Sequence, residues 1–175
     1  YYWFTDEILE QQIRSGRTRA QEVIQMEQEI LAEYRKVAAG ERPFETLRGG
    51  EWHADMMVGM LGAIANDTRE VFIVNTPNHG ALPELPFNKI VEVPALVDAR
   101  GAHPLAMGKM PMEVRGLIQA VAAYEELTVE AVLNGCYDTA LTALSCHPLV
   151  PSRKVAKNIL DDYIAAHGES LAYLK

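Results

Sequence analysis

The chain has 175 residues, 49% of them hydrophobic, which suits one domain with a real core and is short for a nucleotide domain plus a substrate domain. Lys and Arg number 16 against 24 Asp and Glu, and the formal charge of -8 repels polyanions, so no nucleic-acid partner is expected. The longest apolar run, Met56 to Ala65, is about half the roughly 20 residues that a bilayer crossing needs. No basic-then-apolar leader is visible, so the expectation is a soluble, cytoplasmic chain without a membrane partner.

From Thr5 to Ala38, apolar residues recur at intervals of three and four, from Ile8 and Leu9 to Leu31 and Tyr34. The pattern breaks only around Ser15-Gly16-Arg17, which predicts two helices or one with a break. Thr18 and Gln21 have capping-box spacing for the second helix, and Gly40 fits its stop. A loop over 40–50 follows, carrying Pro43 and Gly49-Gly50.

Glu51 to Asn66 is apolar on most faces, which predicts a central helix buried against more than one neighbour. Val71 to Val74 and Ile90 to Val93 are short, β-branched and bounded by turn residues, the pattern of strands. Ala95-Leu96-Val97 and the turn Asp98-Ala99-Arg100-Gly101 continue the second strand into a hairpin. Pro111 stands at the predicted first position of a long amphipathic helix running to about Leu133. A helix over about Asp138 to Cys146 should end at His147-Pro148, and Ser152 can cap another that reaches His167 before Gly168. The predicted fold class is therefore α+β, helix-rich, with a small mixed or antiparallel central sheet.

Ordinary site motifs are missing. The sequence has no G-x-G-x-x-G, Walker loop, H-E-x-x-H or G-x-S-x-G. Cys136 and Cys146 stand ten positions apart in a helical pattern, not as a C-x-x-C pair, and are expected to be buried free thiols. His103, His147 and His167 lie beside Pro or Gly at element ends, where hydrogen-bonding turn residues are common. For His79, in the turn Asn78-His79-Gly80, turn geometry and substrate contact explain the residues equally well. His53 differs. It follows a Gly pair in the first turn of an apolar helix, where a rigid element holds a side chain at its mouth within reach of a ligand.

Five pieces in order carry a resemblance across nearly the whole length. They are Arg48-Gly49-Gly50, the turn Asn75-Thr76-Pro77-Asn78-His79-Gly80, Val91-Glu92-Val93-Pro94, the stretch from Tyr124 to Ala131, and Ala143-Leu144 leading to His147-Pro148-Leu149. Their order and spacing resemble the C-terminal half of the NAD- and metal-dependent glycoside hydrolases of family four, in its 6-phospho-β-glucosidase branch. The resemblance implies a fold like the C-terminal domain of lactate and malate dehydrogenases, with residues 1–175 as a single substrate-closing domain. The N-terminal Rossmann domain that binds NAD would then lie outside the chain. Tyr1-Tyr2-Trp3-Phe4, with no initiator Met, is expected to continue a longer polypeptide.

The chemistry implied by the family starts with oxidation at C3 of the sugar by NAD. A base then removes the C2 proton, the C1 group is eliminated, water adds and the hydride returns, with a divalent ion, usually manganese, on the neighbouring hydroxyls. The family's metal ligands would lie upstream, leaving no metal or cofactor residue here. A tyrosine just beyond Arg-Gly-Gly resembles the C2 base, and His53 takes its place. Many members have an arginine where this chain has Pro77, while Asn75 and Asn78 match as substrate-binding positions.

Two consequences stay open. An ordinary imidazole near pKa 6.5 is better poised as a base at neutral pH than a phenol near 10, so His53 could replace the tyrosine. Alternatively, losing the tyrosine and the arginine together marks a different substrate, or a non-catalytic remnant serving as an oligomerisation or sugar-binding module. The expected partners are the upstream domain, a phosphorylated disaccharide or glycoside, and further copies in a homo-oligomer. The apolar helix over 51–66 and the aromatic edge Tyr1 to Phe4 should face the upstream domain or a partner subunit.

Overall fold

The structure, a computed structural model, describes residues 1–41 and 51–175, without the side chains of Glu51 and Trp52. Arg48-Gly49-Gly50, Pro43 and the rest of the predicted loop after Glu41 lie outside the described residues. By compactness the chain divides into two units, residues 1–72 with 96–103, and residues 73–95 with 104–175.

The first unit opens with α1 (Thr5–Ser15) and α2 (Arg19–Ala38). Gly16, at φ +63°, ends α1 in the left-handed conformation that other residues adopt only at a penalty. The Thr18 side chain accepts from the Gln21 amide at 3.3 Å, and the Gln21 side chain accepts from the Thr18 amide at 2.8 Å, the reciprocal box expected from their spacing. At the other end Gly40 has φ +74° and donates to Val37 while Glu41 donates to Lys36, so a Schellman turn stops α2. Neither α1 nor α2 contains a fully buried residue.

α3 (Glu51–Asn66) has the predicted extent. Its predicted burial is not what the structure shows. Ala63 is buried, while Met57, Val58 and Leu61 are 56%, 68% and 64% exposed. Apolar composition registers the need for a cover, and the described chain supplies one only on the Ala63 side.

The sheet has three strands in the order β1 (Glu70–Pro77), β2 (Ile90–Asp98) and β3 (Gly101–Pro104), and is antiparallel. In β2, Val91, Val93, Ala95 and Val97 are buried and alternate with more exposed residues, as the two-residue pleat requires. The hairpin from β2 to β3 is closed by Ala99 and Arg100, where the Asp98 carboxylate accepts from the Arg100 amide at 2.8 Å.

In the second unit, α4 (Met112–Asn134), α5 (Tyr137–Cys146) and α6 (Arg153–His167) pack in sequence, with a 3-10 turn over Gly168–Leu171. Pro111 caps α4 from just outside it, its carbonyl accepting from Val114 and Arg115. Ser152 accepts from the Val155 amide at 3.3 Å and starts α6. Leu141, Ala156 and Leu160 form one core, against which Leu144, Val150 and Ile164 pack. Ala81, Val91 and Val93 form another, capped by Leu82 and Leu85. The Lys175 backbone bonds both Gly135 and Tyr137, seating the chain's end in the joint between α4 and α5.

Candidate functional site

His53 is the third residue of α3 and is exposed. It belongs to the first unit; Asn75 and Asn78 belong to the second.

Near the end of β1, alternation sends Thr76 inward and leaves Asn75 exposed, and Asn78, just beyond the strand, is buried as well. Asn75 opens onto a cleft of about 550 Å³ that it shares with Pro86, Asn88, Lys89, Ile90, Glu125 and Glu126. Lys89 anchors that cleft to α4. Its ammonium donates to the Ala122 carbonyl at 3.2 Å and the Glu125 carboxylate at 3.0 Å, and stands 3.5 Å from Glu126. Lys89 and two glutamates leave the wall with one net negative charge, which suits neutral hydroxyls better than a phosphate.

The Asn78 side chain is fully buried. Its amide donates to the carbonyls of Leu82, Leu85 and Pro86 at 2.9, 3.0 and 3.1 Å, and its carbonyl oxygen accepts from the Leu82 amide at 2.7 Å. Every polar atom of the side chain is therefore engaged within its own loop, and Asn78 acts by shaping the turn. That turn places His79 at φ +46°, strained for a residue with a Cβ, with Gly80 at +87°. His79 is exposed, and its ring lies 5.1 Å from that of Phe87.

The histidines at element ends are occupied by local contacts. His103 Nε2 lies 2.9 Å from Asp98, and the His147 ring nitrogen accepts from the Leu149 amide at 3.2 Å. The His103 imidazole, the Arg100 amide and the Arg100 guanidinium hold the Asp98 carboxyl at about 2, against the burial that pushes it up. This pair escaped the sequence because its members meet only once the hairpin register is set. Asn88 and Lys89 also escaped it. Their only signal was a polar pair between Pro86 and the β-branched strand.

The two cysteines differ from expectation. Cys136 is half-buried and stands just before α5, and Cys146 is exposed at its last turn. Placed at helix ends, neither reaches a core. The Thr139 hydroxyl and amide hold the Cys136 thiol below its ordinary value. Among the described residues, no group of three or more His, Cys, Asp or Glu is placed to hold a metal ion, and no helix is long and apolar enough to cross a membrane.

The described residues define a helix-rich α+β fold with a three-stranded antiparallel meander. Residues 1–150 match the C-terminal domain of the family 4 glycosyl hydrolases, and the chain belongs to that family. A probable 6-phospho-β-glucosidase of Bacillus subtilis is 37% identical over 171 residues, covering 95% of this chain and 39% of that protein. A 6-phospho-α-glucosidase of Leptotrichia buccalis is 34% identical over 176 residues, covering all of this chain and 40% of that protein. The 6-phospho-β-glucosidase structure of Thermotoga maritima with manganese, NAD+ and glucose 6-phosphate superposes with a TM-score of 0.77 at 30% identity, covering 97% of this chain and 39% of that one. The chain thus spans about two-fifths of the length of the curated relatives it matches.

Proposed function

We propose that the whole protein is a glycoside hydrolase that cleaves 6-phospho-β-glucosides, with residues 1–175 as its single substrate-closing domain. A Rossmann domain preceding it in the same protein would hold NAD, and manganese would be bound there as well. Support comes from the family match over residues 1–150 and from relatives named for phosphoglucosides. We further propose a cytoplasmic homo-oligomer, with neither nucleic acid nor membrane as a partner.

In this reading NAD and manganese are held outside residues 1–175. When bound upstream, those groups would supply oxidation at C3 and polarisation of the neighbouring oxygens. This chain's own contribution is proton transfer and shape. His53 removes the proton at C2. Asn75 hydrogen-bonds a sugar hydroxyl at the mouth of its cleft, and Asn78 takes part in substrate binding by fixing the turn that carries Asn75 and His79.

The observation that supports this proposal is the exposed position of His53 in the first turn of α3, the place to which the sequence resemblance assigns the family's tyrosine. The paired departures at His53 and Pro77 favour one alternative, a protein that binds phosphosugars without turning them over. Hydrolysis of 4-nitrophenyl β-glucoside 6-phosphate by the full-length protein with NAD and Mn2+ separates the two. Release of nitrophenol that depends on NAD, with slower release from the α-anomer and the unphosphorylated glucoside, is expected. Saturable binding without release would establish the alternative.

A further inference from the structure

α2 presents more apolar surface than its own unit covers. Val23, Met26, Ile30 and Val37 form a half-buried stripe along it. Beside it runs a second stripe, Ala20, Ile24, Glu27, Leu31, Tyr34 and Ala38, every member exposed. Ile24, Leu31 and Tyr34 keep 56%, 46% and 48% of their surface open. The spacing alternates between four and three residues. At 100° per residue this keeps all six within about 40° of one line, the narrow seam that pairs one helix with another.

The seam is also nearly palindromic. About its midpoint at Glu29, Ala20 mirrors Ala38, Ile24 mirrors Tyr34, and Glu27 mirrors Leu31. A helix laid antiparallel on a copy of itself therefore sets small against small and large against large. Both halves of such an interface are built by the same residues, as a twofold axis requires.

Charge chooses the direction. In a parallel pair Glu27 would face its own copy inside the seam. In the antiparallel pair it faces Leu31, and Arg35, one turn beyond Leu31, brings an opposite charge toward it.

We propose that α2 is one half of a twofold antiparallel helix pair between two copies of this chain, centred near position 29. A 20-residue helix offers a seam about 30 Å long, a small interface of moderate affinity. The pairing does not depend on the catalytic proposal.

The test uses the full-length protein and variants at exposed positions, with helicity checked by circular dichroism. Leu31→Glu sets like charges face to face across the axis, and sedimentation equilibrium should show association weakened by about 30-fold. Adding Glu27→Lys to Leu31→Glu should restore it, because Lys at 27 then faces Glu at 31. In a background with Cys136→Ser and Cys146→Ser, Ile24→Cys combined with Tyr34→Cys should give oxidative cross-links between copies joining positions 24 and 34. Unchanged association in Leu31→Glu, no rescue by the second substitution, or 24-to-24 cross-links in Ile24→Cys alone would overturn the proposal. So would a full-length protein in which these cysteines are shielded while it sediments as a monomer, which would mean that the upstream part covers the seam.

Discussion

Asn78 and Leu82 grip each other in both directions. The Asn78 carbonyl oxygen accepts from the Leu82 amide at 2.7 Å, and the Asn78 amide donates to the Leu82 carbonyl at 2.9 Å. One buried side chain thereby closes a loop that would otherwise hide several backbone groups without partners.

Asn78→Ala should lower unfolding stability by about 3 kcal/mol, since one amide and three carbonyls lose their partner in a site too buried for water to replace it freely. Asn78→Asp should do worse, and increasingly so as pH rises and a carboxylate comes to face three carbonyl oxygens. Urea midpoints of the three proteins at pH 4 and pH 7 check this. Equal midpoints at both pH values would show that the loop closes without the side chain.

Asp98 gives a pH signature. Its folded-state carboxyl lies at about 2 against an ordinary value of 3.8, so the charged form is favoured by folding. The stabilisation is complete above the ordinary value, shrinks as pH falls from roughly 4, and is gone below about 2. Asp98→Asn should therefore be less stable than the wild type at neutral pH, and the gap should close as pH is lowered from 4 to 2. A gap that stays constant over that range would mean that the contacts with His103 and Arg100 do not stabilise the ionised form.

Gly135 and Gly16 form a matched pair. Both have φ +63°, but a Cβ on Gly135 would lie 2.7 Å from the Tyr173 carbonyl oxygen, whereas one on Gly16 meets nothing within 4 Å. Gly16→Ala should be destabilised by about 1 kcal/mol from backbone conformation alone. Gly135→Ala should lose about 2 to 3 kcal/mol, because the C-terminal turn must also move. Thermal unfolding of both variants decides it, and equal losses would show that the chain's end is not seated at Gly135.

Local chemistry made much of this fold legible. Thr18 with Gln21, Gly40, Ser152 and Gly168 mark helix ends because each satisfies or turns a backbone group only a few residues away. The strands and the hairpin at Ala99 and Arg100 follow from β-branched runs interrupted by turn residues. What escaped depends on longer reach. Periodicity shows that Met57, Val58 and Leu61 are apolar but not what covers them. The engagement of Asn78 with Leu85 and Pro86 and the meeting of Asp98 with His103 exist only once a loop closes and a register is set. The free cysteines were expected inside, and their places at the ends of α5 leave Cys136 half-buried and Cys146 exposed.

If His53 is the base at C2, exchange of that proton must depend on it. In the full-length protein with NAD and Mn2+, the C2 hydrogen of a 6-phospho-β-glucoside should exchange with deuterium from solvent during turnover. His53→Ala should abolish that exchange while leaving NAD binding unchanged, and His53→Tyr should recover part of it. Undiminished C2 exchange in His53→Ala would contradict the account and place the base elsewhere.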